Sequence, residues 1–172
     1  LRHAPFEVLH IATHAIFKPG AREHSYLQLW DQKVQLNQLR ELDLASSNVA
    51  LIVLSACTTA LGDLDAEFGF AGFAVSAGAQ SALASLWSVS DEATLGFMTM
   101  FYQQLGQTTT RSEALRQTQI NMLRGELEIV KGVVYGPDNQ EIAVLPELAE
   151  SGSWDFTHPS YWSAFTMIGN PW

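Results

Sequence analysis

Three short apolar runs in this chain each lead into residues able to do chemistry. Residues 8–13 lead into His14, residues 49–54 into Ser55-Ala56-Cys57, and residues 81–87 into Ser88-Val89-Ser90-Asp91. A thiolate is a strong nucleophile, but a free cysteine has a pKa near ~8.5 and is mostly thiol at neutral pH. An imidazole beside it can take that proton, or protonate a leaving amine. Cys57 with His14 therefore suits acyl transfer through an acyl-enzyme, provided that the two runs lie side by side. The tetrahedral intermediate needs an oxyanion hole, which the backbone N–H of Cys57 and one at His14 or Ala15 could supply. Sites in open α/β sheets form beyond the carboxyl ends of strands. If the three runs are neighbouring strands, His14, Cys57 and Asp91 meet at one rim.

Each of these residues also has a plainer reading. Cys57 is the single cysteine, and a lone cysteine is commonly a small buried hydrophobe. His14 can be a strand-end histidine satisfied by backbone. Asp91 can cap the helix that follows, in competition with Ser90. Asp63, Asp65 and Glu67 form an acidic loop after Cys57, which reads as solvated surface, as the cap of the next helix, as part of a substrate pocket or as a processed loop. His10 lies four residues before His14, and even spacing on a strand puts both on one face. No glutamate stands between them and no third ligand is near, so no metal is assigned and His10 is read as structural. Nothing calls for a cofactor.

The elements that must position these groups follow from pattern. Residues 8–14 read as a buried strand, and 15–25, with Pro19 and Gly20, as a loop. Residues 26–30 and 34–36 predict a hairpin, and Asn37 a short helix to about Leu42. Residues 49–55 form an unbroken apolar run, as in a strand covered on both faces. Small residues between Glu67 and Ala77 suit a helix packed closely on a sheet, with Gly78 as its stop. Residues 81–87 predict a third buried strand. Asp91 opens a helix through about Leu105, and Ser112 caps another through about Leu123. Residues 126–145 read as one hairpin around Gly136-Pro137-Asp138-Asn139, 149–159 as a loop, and 161–168 as a last strand. This alternation predicts an α/β sandwich with a mostly parallel sheet.

Composition narrows the function classes. At 172 residues, 47% hydrophobic and 16% charged, the chain suits one globular domain over residues 1–172. Nine basic residues against 18 acidic leave a net charge of -9. That charge repels polyanions and no basic run offsets it, so nucleic acid is not an expected partner, whereas a cationic peptide is favoured. The longest apolar stretch, about residues 69–86, is broken by Gly and Ser and does not read as a membrane span. A lone cysteine forms no intrachain disulfide, which suits a reducing, cytoplasmic setting. The chain begins without Met and enters a strand at once, so it reads as a C-terminal fragment of a larger protein.

Several blocks, in order, resemble those of CHAT domains. They are His10-Ile11-Ala12-Thr13-His14-Ala15, Leu54-Ser55-Ala56-Cys57-Thr58-Thr59-Ala60, Glu67-Phe68-Gly69, Ser76-Ala77-Gly78-Ala79, Ala84-Ser85-Leu86-Trp87-Ser88-Val89-Ser90-Asp91 and His158-Pro159-Ser160-Tyr161-Trp162-Ser163-Ala164-Phe165. Phe101-Tyr102 and Ala114-Leu115-Arg116 continue the pattern. The resemblance implies the caspase–hemoglobinase fold, a three-layer α/β sandwich with a mostly parallel central sheet, here truncated at its N-terminal side. It implies a cysteine endopeptidase whose dyad is His14 and Cys57, with the oxyanion bound by the N–H groups of Ala15 and Cys57. Asp91 is similar to the acidic residue that receives a basic P1 side chain in separase-like enzymes, with Asp63, Asp65 and Glu67 as further S1 candidates. The implied partners are a protein or peptide substrate and a tetratricopeptide-type repeat region or regulatory partner. One departure is Ala15, where the family usually has Gly. Alanine keeps the N–H but would be strained at positive φ. The alternative is a catalytically silent caspase-like scaffold or signalling module.

Overall fold

The computed structural model describes residues 7–17, 24–35, 38, 48–55, 57–59, 69–148, 152–170 and 172. In chain order the elements are β1 (Val8–Ile11), β2 (Ala15–Phe17), β3 (Tyr26–Gln28), β4 (Lys33–Gln35), β5 (Leu51–Leu54), β6 (Cys57–Thr59), α1 (Gly69–Ser76) and β7 (Ser81–Ser85). They continue with α2 (Asp91–Leu105), α3 (Arg111–Leu123), β8 (Glu128–Val130), β9 (Val133–Tyr135), β10 (Glu141–Val144), β11 (Trp154–Asp155) and β12 (Phe165–Gly169). The chain divides into two compact units, one of residues 1–88 with 165–171 and the other of residues 89–164 with 172.

The first unit is built on a sheet of order β1-β5-β7-β12. β1, β5 and β7 run parallel, in register Val8↔Leu51 and Leu51↔Ser81, and β12 closes the edge antiparallel to β7. Every residue of β5 and β7 is buried, which is why β5 carries no alternation of apolar and polar residues. Leu9, Ile11, Ile52, Leu54, Ala82 and Ala84 gather in one core with Ala71, Ala74 and Ala77. The small side chains of α1 let its backbone approach β5, β7 and β12 closely. The helix ends as predicted at Gly78: Ala79 N–H donates to Ala74 O (3.2 Å) and Gly78 N–H to Val75 O (3.0 Å), a Schellman arrangement. At the far edge, Gly169 in β12 has φ +101° and lies so close to Gln80 O that a side chain there would overlap it. The α/β class with a mostly parallel central sheet is thus as the sequence predicts, and it is compatible with a caspase-like sandwich.

A second sheet of this unit has the order β4-β3-β2-β6. The predicted hairpin is present as β3 and β4, paired Tyr26↔Gln35. The run of residues 8–14 is not one strand. β1 stops at Ile11 and the chain resumes as β2, where a loop was predicted. β2 exists because it finds partners on both sides, β3 antiparallel and β6 parallel. Pairing of this kind is not visible in local propensity. The short helix predicted from Asn37 lies outside the described residues except for Gln38.

In the second unit α2 and α3 pack against each other, and α2 also meets β10. Phe97, Met100, Phe101, Met122, Leu127, Ile129 and Phe156 are all at most 1% exposed. Fully burying such a side chain stabilises a fold by roughly 1.5–3 kcal/mol. The cap of α3 is Thr110, not Ser112: Thr110 is extended (φ -135°, ψ 149°) and its Oγ1 accepts the Glu113 N–H at 3.2 Å. Residues 126–145 form three antiparallel strands rather than one hairpin, with order β10-β9-β8-β11 across the sheet. The missed turn is Lys131-Gly132, with φ of 49° and 77°, the type I′ geometry that suits a two-residue hairpin. The last strand starts at Phe165 rather than Tyr161. Before it, Pro159–Tyr161 form a 3-10 turn capped by His158, whose Nδ1 accepts the Ser160 N–H at 3.2 Å.

Candidate functional site

The parallel pairing of β1 with β5 sends both strands to the same rim of the first unit, with Ile11 opposite Leu54. Beyond that point the ladder changes register. Three residues, Ala12-Thr13-His14, precede the next paired position on one chain, and two, Ser55-Ala56, on the other. Pairing then resumes in parallel as Ala15↔Cys57. The first segment is thus one residue longer, and His14 stands next to the residue that faces Cys57. With strands about 4.8 Å apart and a rise of about 3.3 Å per residue, the two Cα atoms are on the order of 6 Å apart. His14 is exposed.

The segment carrying His14 is clamped by β3. Gln28 N–H donates to His14 O at 2.8 Å, and the Thr13 hydroxyl donates to Gln28 O. The facing segment is held at Ser55. Its N–H reaches Ile11 O at 3.4 Å, a weak bond, whereas its Oγ sits 2.9 Å from His10 Nε2. Desolvation lowers the pKa of His10 below the ordinary 6.5. Ala15 is 2% exposed, lies in β2, and is not among the described residues with positive φ. Extended backbone accepts alanine without strain.

The other sequence-derived candidates are Asp91 and the acidic residues that follow Cys57. Asp91 is exposed and is the first residue of α2, in the second unit. The cap there is Ser90, whose Oγ accepts the Ala93 N–H at 3.3 Å. A carboxylate in the first turn also complements the helix dipole. Asp63, Asp65 and Glu67 lie outside the described residues. Among the described residues, no cluster of three or more His, Cys, Asp or Glu could hold a metal ion. No helix among them is long and apolar enough to cross a membrane.

Two supports escaped the sequence reading. Thr13 and Gln28 carried no chemical signal, because their bond depends on where β3 packs. His10 with Ser55 did leave a trace. Pairing β1 with β5 in register puts His10 beside Val53, and alternation then puts Ser55 on the same face. Comparison with curated proteins gives no match. Residues 1–170 match the family model of the CHAT domain, and so the chain belongs to the CHAT domain family, a caspase-like peptidase family.

Proposed function

We propose that this chain is a cysteine endopeptidase in which Cys57 is the nucleophile and His14 its proton-transfer partner. The observation that supports it is the parallel register Ala15↔Cys57, which sets His14 one residue from the position facing Cys57. In this reading the Cys57 thiolate attacks the scissile carbonyl carbon and an S–C bond forms. The C–N bond then breaks as His14 gives a proton to the leaving amine. Water, deprotonated by His14, then attacks the acyl carbon; the S–C bond breaks, the carboxylic acid leaves, and the Cys57 thiolate is restored beside the protonated His14. The N–H groups of Cys57 and Ala15 are assigned to the oxyanion.

The same reading gives the substrate a basic P1 residue. Asp91 would hold it by paired charge-assisted hydrogen bonds, with Asp63, Asp65 and Glu67 as further acidic contributors. A net charge of -9 draws cationic peptides at long range. A neighbouring tetratricopeptide-type repeat region or another regulatory partner would order the site. A working thiolate suits a reducing compartment such as the cytoplasm.

The test is labelling of the full-length protein by an activated peptide electrophile ending in Arg, together with cleavage of a peptide library. Label should appear on Cys57, and cleavage should be lost in Cys57→Ala and His14→Ala. Cleavage by both variants at the parent rate would remove the mechanism. An unreactive Cys57 in the presence of its partner would instead favour a silent scaffold. A preference for P1 residues other than Arg or Lys would remove the role of Asp91.

A further inference from the structure

The ladder that carries His14 and Cys57 is weakest where its register changes. On one side the clamp to Gln28 holds Thr13 and His14. On the other, the backbone bond from Ser55 N–H to Ile11 O is stretched to 3.4 Å. The side-chain bond between His10 Nε2 and Ser55 Oγ, at 2.9 Å, is the shorter of the two contacts holding Ser55 to β1. Ser55 lies two residues before Cys57. A slip of one residue in a strand turns every following side chain to the opposite face.

We propose that His10 and Ser55 are positioning residues: their hydrogen bond fixes the register in which Cys57 enters β6, and so keeps Cys57 beside His14. This rests on the reading of Cys57 and His14 as a dyad. Neither His10 nor Ser55 is assigned a part in the bond-making steps. Their work is to replace a backbone contact that the extra residue in the facing segment has loosened.

Cys57 is the single cysteine of these 172 residues, so label mapped to this segment by mass spectrometry reports on it alone. The experiment measures the rate at which an Arg-ending peptide electrophile labels the full-length protein, beside the thermal midpoint of each variant. His10→Leu and Ser55→Ala should each slow labelling by about 100-fold, the scale of a misplacement of about 1 Å in a reacting group. The double variant should be no slower than either single one, because both remove the same bond. Ser55→Thr keeps the hydroxyl and should restore most of the rate. Loss of rate in Ser55→Thr equal to that in Ser55→Ala would show packing, not the hydrogen bond, and would overturn the proposal. So would labelling of His10→Leu and Ser55→Ala at the parent rate. A parent protein that is not labelled would instead remove the dyad, and this inference with it.

Discussion

Replacing Gly169 by Ala and Gly72 by Ala makes the same chemical change at two sites of the first unit, and the structure gives the two opposite signs. At Gly169 φ is +101°, and the added Cβ would overlap Gln80 O, with Ser81 Cα at 3.0 Å and Val75 Cγ2 at 3.2 Å. Gln80 O cannot easily move away, since it accepts the Asn170 N–H at 2.8 Å. A left-handed conformation costs a side-chain-bearing residue roughly 1–2 kcal/mol, and overpacking adds roughly 1–3 kcal/mol. Together they predict a loss of about 2–5 kcal/mol, a large part of the ~5–15 kcal/mol that holds an ordinary domain together. At Gly72, inside α1, no atom of the described residues beyond its chain neighbours and the helix's own backbone lies within 4 Å of the new Cβ. There alanine should gain about 1 kcal/mol from helix propensity. Urea unfolding followed by tryptophan fluorescence separates the cases. With a slope of about 2 kcal/mol per molar, the midpoint should fall by about 1–2.5 M in Gly169→Ala and rise by about 0.5 M in Gly72→Ala. A change below ~0.5 kcal/mol in Gly169→Ala, or midpoints that move in the same direction, would refute the placement of β12 against Gln80.

Acid should weaken the fold through His10. Its folded pKa lies below the unfolded 6.5 because burial disfavours the imidazolium. Its contribution is therefore complete above pH 6.5 and is lost as the pH falls from there through the folded value. His10→Gln should flatten that part of a stability–pH curve. Tyr102 behaves in the opposite sense, since burial raises its pKa from 10.0 to about 12. Its stabilisation is complete below pH 10 and is lost between there and about pH 12, and Tyr102→Phe should remove that loss from a stability–pH curve. Thr110→Ala should cost about 1 kcal/mol through the lost cap of α3, while Ser112→Ala should stay within ~0.5 kcal/mol; urea unfolding measures both.

What the sequence disclosed depended on how local its cause was. The buried strands β5 and β7 were legible because burial on both faces leaves an unbroken apolar run, and α2 because its apolar residues recur at helical spacing. Thr110 was missed in favour of Ser112, although Thr110 precedes Glu113 by the three residues of a capping box. The type I′ turn at Lys131-Gly132 was overshadowed by the richer turn signal of residues 136–139. β2 was illegible for a deeper reason: three residues make a strand here only because β3 and β6 flank them. For the candidate site, the pairing of the first two runs was readable from their apolar character. The one-residue register change beside His14 was not, since it is a property of two segments together.

β12 begins at Phe165 opposite Ser85, the last residue of β7. Apart from residue 172, the second unit is therefore an insertion, leaving the first after Ser88 and returning at Phe165. A ribosome must deliver all of it before the last edge of the parental sheet can close, so β12 is a late, long-range contact with a large loop to close. The end of β7 at Ser85 and the start of β12 at Phe165 are a strand spacing apart. A two-residue turn joining those points would convert β7 and β12 into an ordinary hairpin, which makes the boundary a natural place for excision, permutation or grafting.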